Sequence, residues 1–159
     1  MKTAIVLLLS VTGLAGKVKA QEESPVHWSY QAKQLDKSTF EVRVTASLDN
    51  GWHIYSQIQP EEAIGMPTSF SFISNPLVLL QGKVKEEGKL IHYRNDAVGI
   101  SQNQYDERVS FMQIVKLRGD VTTAISGTVH FQVCTDRMCL PPTDLPFSIA
   151  LNGRTAGTN

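Results

Sequence analysis

Alternation of apolar and polar positions is the dominant signal along this chain. Val26, Trp28 and Tyr30 fall on every second position of the run 25–35. From Phe40 to Leu48 the pattern is complete, with Phe40, Val42, Val44, Ala46 and Leu48 separated by polar residues. Period two gives a strand one buried face and one wet face, as in antiparallel sheets. Asp49-Asn50-Gly51 predicts a turn, and Trp52 to Ile58 a further strand that Pro60 ends. Phe70, Phe72 and Ile73 predict a short strand, closed by the turn residues Asn75-Pro76. Leu77 to Leu80 is apolar, whereas Gly82 to Lys89 is charged and predicts a solvated connection. Ile91 to Tyr105 has no clean period and predicts a long loop of functional length. Val109 to Leu117 predicts a strand with both faces partly apolar, ended by Arg118-Gly119-Asp120. Gly127, Val129, Phe131 and Val133 alternate within a strand from Ile125 to Val133, and Phe147, Ile149 and Leu151 mark the last one. The small polar tail from Asn152 is expected to fray.

These runs make about eight short strands separated by turns, with no amphipathic helix. The pattern predicts an all-β protein, an immunoglobulin-like antiparallel β-sandwich, with a barrel as the alternative. No internal repeat or low-complexity tract interrupts it.

The first residues change the picture of where the chain works. Met1-Lys2 is a short positive start, Ala4 to Leu14 is apolar but too short to span a bilayer, and Val18-Lys19-Ala20 has the form of a cleavage site. A cleaved signal peptide over 1–20 is therefore expected, leaving one domain over 21–159. Its removal takes Lys2, Lys17 and Lys19, so 15 basic against 15 acidic residues become 12 against 15, a net charge near −3. A weakly acidic mature chain argues against nucleic acid or an anionic membrane surface as partner. No later segment is apolar enough to span a membrane. Export would place the cysteines where a disulfide persists.

The chemistry concentrates in Val133-Cys134-Thr135-Asp136-Arg137-Met138-Cys139-Leu140-Pro141-Pro142, which holds both cysteines of the 159-residue chain. A structural disulfide is one reading. In the loop-entropy account a ring of about six residues stabilises by roughly 2.2 kcal/mol, against about 4.7 for a ring of roughly 100. A tight ring at a strand end is thus a poor staple and is more easily reduced. The second reading is a redox pair, in which one thiolate attacks a partner disulfide and the neighbouring thiol releases it. Asp136 inside the ring would raise a thiol pKa, take part in proton transfer or serve as a plain turn acid, and Arg137 would favour thiolate. Pro141-Pro142 removes two backbone donors and fixes the exit of the chain. Metal ligation is a third reading. Yet His27, His53, His92 and His130 fall at no ligand-pair spacing, and the cysteine spacing is looser than that of structural zinc sites. No metal or other cofactor is expected. Glu61-Glu62 and Glu86-Glu87 lie in polar segments and are expected to be solvated surface.

The runs Gly51-Trp52-His53-Ile54-Tyr55-Ser56-Gln57, Pro67-Thr68, Phe131-Gln132-Val133-Cys134 and Cys139-Leu140-Pro141-Pro142 resemble the N-terminal periplasmic domain of the thiol:disulfide interchange protein DsbD family. The resemblance runs from about Val26 to Leu151. It implies an immunoglobulin-like sandwich with a redox-active pair, Cys139 forming the mixed disulfide with partners and Cys134 resolving it. It implies a cap loop near Arg94 to Gly99 that shields the sulfurs, and a site lined by Tyr55. Val98 stands where that family has an aromatic cap tip, and Tyr93 is the aromatic at hand to serve instead. The implied partners are thioredoxin-like proteins or a DsbD-type membrane reductase as donors, and periplasmic disulfide-containing proteins as acceptors. The spacing of four residues between the cysteines is one shorter than in the best-known member. With no membrane span and no thioredoxin-like domain in the sequence, the electron donor is expected to be a separate chain. The alternative function is a non-catalytic immunoglobulin-like binding module with a structural disulfide, in which Trp52 and Tyr55 would be contact residues.

Overall fold

The alternating runs become strands where they are expected. A computed structural model describes residues 24–153, so the proposed signal peptide and the last six residues lie outside the described part. Strands β1 (Val26–Gln34), β2 (Thr39–Leu48), β8 (Arg108–Leu117) and β5 (Val78–Gly88) form one sheet in the order β1-β2-β8-β5. Strands β11 (Thr143–Asn152), β9 (Thr122–Phe131) and β4 (Ser69–Phe72) form a second, in the order β11-β9-β4. Every pairing is antiparallel. The architecture is an all-β sandwich of open sheets rather than a closed barrel.

Alternation decides which side chains fill it. On β2, Phe40, Val42, Val44 and Ala46 are buried, and on β9 and β11 so are Ile125, Val129, Phe131, Phe147, Ile149 and Leu151. Aromatic rings carry the contact between the sheets. Phe111 of β8 lies 5.1 Å from Phe70 of β4, and Trp28 of β1 lies 5.0 Å edge-on to Phe131 of β9. Such geometries suit the ring quadrupoles and add to the burial of apolar surface. Pro146 falls on β11, an edge strand, where the missing N–H costs least.

A third, smaller sheet continues from one end of this sandwich. It contains β10 (Val133–Cys134), β3 (His53–Tyr55), β7 (Ile100–Tyr105) and β6 (Ile91–Asn95), in the order β10-β3-β7-β6. Its buried Ile54, Tyr105 and Val133 merge with the main core. Four expectations are corrected here. The long loop over 91–105 is the β6–β7 hairpin, with Asn95 opposite Ile100 and Gly99 at φ +67° in its turn. Its period was obscured because the buried positions of β7 include Gln102 and Gln104. The solvated connection over 82–89 is the second half of β5, an edge strand whose charges sit where an unpaired edge needs them. The register of β5 shifts between Gln81 and Lys85, with Gly82 at φ +70°. Finally, the strand expected to reach Ile58 stops at Tyr55. There the Gln59 side chain takes over the pairing: its Nε2 donates to the Asn103 carbonyl at 2.6 Å and its Oε1 accepts from the Asn103 N–H at 3.0 Å. The C-terminal residues expected to fray are held as far as Gly153, whose N–H donates to the Val121 carbonyl at 2.9 Å.

Candidate functional site

The expected strand 125–133 is broken at Gln132, and that break makes the site. Up to Phe131 the chain pairs with β11 and β4; from Val133 it pairs with β3, placing Val133 opposite Ile54 and Cys134 opposite His53. Gln132 secures the crossing. Its Nε2 donates to the Leu140 carbonyl at 3.1 Å, and its Oε1 accepts from the Met66 N–H at 3.1 Å. One side chain thereby ties the exit of the cysteine ring to the segment after β3.

Cys134 and Cys139 are joined in a disulfide. The ring between them is a tight turn organised by Thr135. The Thr135 N–H donates to the Met138 carbonyl at 2.7 Å, and its Oγ1 accepts from the N–H groups of Arg137 at 3.2 Å and Met138 at 3.1 Å. The Leu140 N–H closes back on the Val133 carbonyl at 3.0 Å. The two sulfurs have unequal surroundings. Cys134 is 1% exposed at the end of the core, whereas Cys139 belongs to the exposed stretch 136–139.

Beside Cys139 lies a cleft of about 360 Å³ between the ring turn, β3 and the β6–β7 hairpin. Of the residues expected at the site, Tyr55, Tyr93 and Asp136 line this cleft together with Cys139. Val98 does not; it is 63% exposed in the hairpin turn. The sequence reading left out further lining residues, among them His53, Ile64, Gln102 and Gln104. A signal for His53 was available. It alternates with Tyr55, so both must project from the same face of β3. Gln102 and Gln104 gave none, since buried glutamines look like surface residues in a sequence.

Tyr55 is 2% exposed, and its position is fixed from three sides. Thr68 Oγ1 donates to its carbonyl at 2.6 Å, which gives the Pro67-Thr68 pair a structural role. Gly65 lies against the ring, where an added Cβ would come within 2.1 Å of Cζ. His53 stands edge-on at a centroid distance of 5.4 Å, with Nε2 3.4 Å from the Tyr55 hydroxyl. Burial raises the Tyr55 pKa above its ordinary value, with a Gln102 hydrogen bond opposing, so the phenol stays neutral. Burial likewise lowers the His53 pKa, opposed by the negative charges of Asp106 and Asp136. Below the cleft, Glu86 of β5 ties the small sheet to the sandwich. It accepts from Ser56 Oγ at 2.7 Å, the Gln57 N–H at 2.6 Å and the Tyr105 hydroxyl at 2.9 Å. Glu86 is thus a structural acceptor rather than the solvated surface expected of it.

The other histidines are engaged elsewhere: His27 with Asp49, His92 with Asn103 and His130 with Asp144. Among the described residues no three histidine, cysteine or acidic side chains converge as a metal site. Among the same residues, no helix is long and apolar enough to cross a membrane.

No family model matches the sequence, and no curated protein matches it either. The fold is found among solved structures. The N-terminal periplasmic domain of ScsB from Proteus mirabilis superposes with a TM-score of 0.57 at 16% identity, over 83% of this chain and 48% of that one. This chain therefore spans about half the length of that ScsB structure. The Neisseria meningitidis DsbD N-terminal domain also matches. In its complex with the PilB N-terminal domain it gives a TM-score of 0.45 at 15% identity, over 83% of this chain and 89% of that one. In its reduced form it gives 0.39 at 15% identity, over 79% and 86%. The chain has the sandwich fold seen in the N-terminal periplasmic domain of ScsB, and it carries a disulfide-forming cysteine pair beside a cleft at one end of that sandwich.

Proposed function

We propose that this chain is an exported thiol–disulfide interchange domain whose Cys134–Cys139 pair relays reducing equivalents between a thioredoxin-like donor and periplasmic proteins. The observation that carries the reading is the inequality of the two sulfurs, Cys139 exposed at the cleft and Cys134 buried behind it. Exchange needs one thiolate that a partner can reach and a second that attacks only after the mixed disulfide has formed. Cys139 takes the first role and Cys134 the second. A staple would not need the cleft, and a six-residue ring stabilises by only about 2 kcal/mol in any case.

In this reading the signal peptide delivers the chain to the periplasm. A thioredoxin-like protein or a DsbD-type membrane reductase loads it, and disulfide-containing periplasmic proteins unload it. Tyr55, Asp136 and Tyr93 line the approach to Cys139, and the hairpin turn with Val98 at its tip meets the partner.

The test is a trap. Cys134→Ala incubated with a single-cysteine thioredoxin-like protein activated as its 2-nitro-5-thiobenzoate mixed disulfide should displace that thiolate and accumulate a disulfide-linked complex through Cys139, and Cys139→Ala should not. Complex formation only in Cys139→Ala would reverse the roles. A reduction potential below about −300 mV would mark the bond as structural and sink the proposal.

A further inference from the structure

Cys134 poses a chemical problem that its position makes acute. To resolve a mixed disulfide it must become a thiolate, yet it is 1% exposed, and apolar burial resists thiol ionisation. The groups that face it can be surveyed by element. The ring turn supplies Asp136 and Arg137, both in its exposed stretch. Asp106, just beyond β7, accepts a hydrogen bond from Gln104 Nε2 at 2.9 Å. Strand β6 supplies Tyr93, and β3 supplies Tyr55 and His53. Of these, His53 alone is paired directly with Cys134 across the β3–β10 ladder. Directly opposed residues project to the same face, with Cβ atoms about 4.5–5.5 Å apart.

We propose that His53 is the proton acceptor for the Cys134 thiol during resolution of the mixed disulfide. The inference rests on the exchange function proposed above. The ring is disposed for the task. Nε2 lies 3.4 Å from the Tyr55 hydroxyl, and Nδ1 has no hydrogen-bond partner among the described residues. In the tautomer whose Nε2–H donates to the Tyr55 oxygen, Nδ1 carries the free lone pair. His53 is 6% exposed, and this burial favours the neutral, proton-accepting ring. Asp106 and Asp136 then stabilise the imidazolium that forms.

The step balances as follows. Cys139 thiolate attacks a partner disulfide, forming the Cys139–partner bond and releasing one partner thiolate. His53 Nδ1 takes the proton from Cys134 Sγ, and the new thiolate attacks the Cys139 sulfur. The Cys134–Cys139 bond forms, the Cys139–partner bond breaks, and the departing thiolate receives the proton from His53. The dithiol loses two electrons and the partner disulfide gains them.

The experiment follows the reduced full-length protein with one equivalent of 5,5′-dithiobis(2-nitrobenzoate). The first thiolate released reports attack by Cys139, and the second reports closure by Cys134. In His53→Gln the second phase should slow by about tenfold or more at pH 7, toward the range typical of general-base catalysis, and by a larger factor than any change in the first phase. The gap should close only as pH rises well beyond about 8.5, the ordinary thiol value, because burial resists ionisation of this one. An unchanged second phase, or one slowed by the same factor at every pH, overturns the proposal. The wild-type protein provides a check independent of folding in the variant. Its second-phase rate should inflect at the His53 titration seen by NMR, and a flat profile across that titration also overturns the proposal. Absence of the first phase in the wild type would instead remove the exchange function itself.

Discussion

The sandwich and the small sheet are built from the same kind of strand to opposite ends. In the sandwich, β2 pairs with β8 from Thr39 opposite Lys116 to Ser47 opposite Arg108 without interruption. In the small sheet, β10 and β3 share two residue pairs, Val133–Ile54 and Cys134–His53. The sandwich buries Phe40, Val42, Val44 and Phe111 against one another. The small sheet buries His53, Gln102 and Gln104, and the Oε1 atoms of both glutamines have no hydrogen-bond partner among the described residues. Buried polar groups of this kind cost stability. The lesson is a division of labour, in which the long ladders supply the free energy and the short ones hold chemistry that would be too costly to support alone.

The sharpest way to break this comparison is to remove a ring from each side. Phe111→Ala, at 1% exposure in the centre of the sandwich, should cost about 3–5 kcal/mol in urea unfolding. A loss below about 1 kcal/mol would mean that the stability lies elsewhere. Next comes the disulfide. The Cys134→Ala/Cys139→Ala double variant should remain folded and lose only about 2 kcal/mol, because a six-residue ring constrains the unfolded chain little. Unfolding of that variant at room temperature would show that the small sheet depends on its staple.

The smallest expected effect is one of pH. His53 in the folded protein has a pKa below its ordinary 6.5, chiefly through burial, so the unfolded chain takes up the proton first. The stability contributed is therefore complete above about pH 6.5 and declines as pH falls from there toward the folded value. Thermal melts of wild type and His53→Gln should diverge in slope below pH 6.5 and run parallel above it. Parallel curves throughout would show that His53 is not buried as described.

The extent to which the site was legible follows the same division. Cys134, Cys139, Tyr55, Tyr93 and Asp136 were named from the sequence, and the structure gathers the last four of these around one cleft, with Cys134 bonded behind it. Val98 was placed by position in a loop without period, and there the reading had no physical hold. Glu86 misled because a Glu-Glu pair on an edge strand looks the same whether its carboxylate meets water or a buried serine. His53 and Gln132 lay within the quoted runs, but their roles depend on which strands are paired, and that is a long-range fact.

Alternation by itself determined the antiparallel sheets, because a period of two leaves each an apolar face, and with no amphipathic helix in the sequence another sheet has to cover it. The sequence also determined where the sulfur chemistry lies, since its two cysteines stand five positions apart, close enough for a single turn to join them. Tertiary structure alone decided that one sulfur faces a cleft and the other the core. The switch from β9 to β10 at Gln132 carries the chain into a different sheet, where Cys134 meets His53 across the ladder. No local pattern encodes that meeting, because β3 and β10 are separated by about half of the chain and their register is set by the core beneath them.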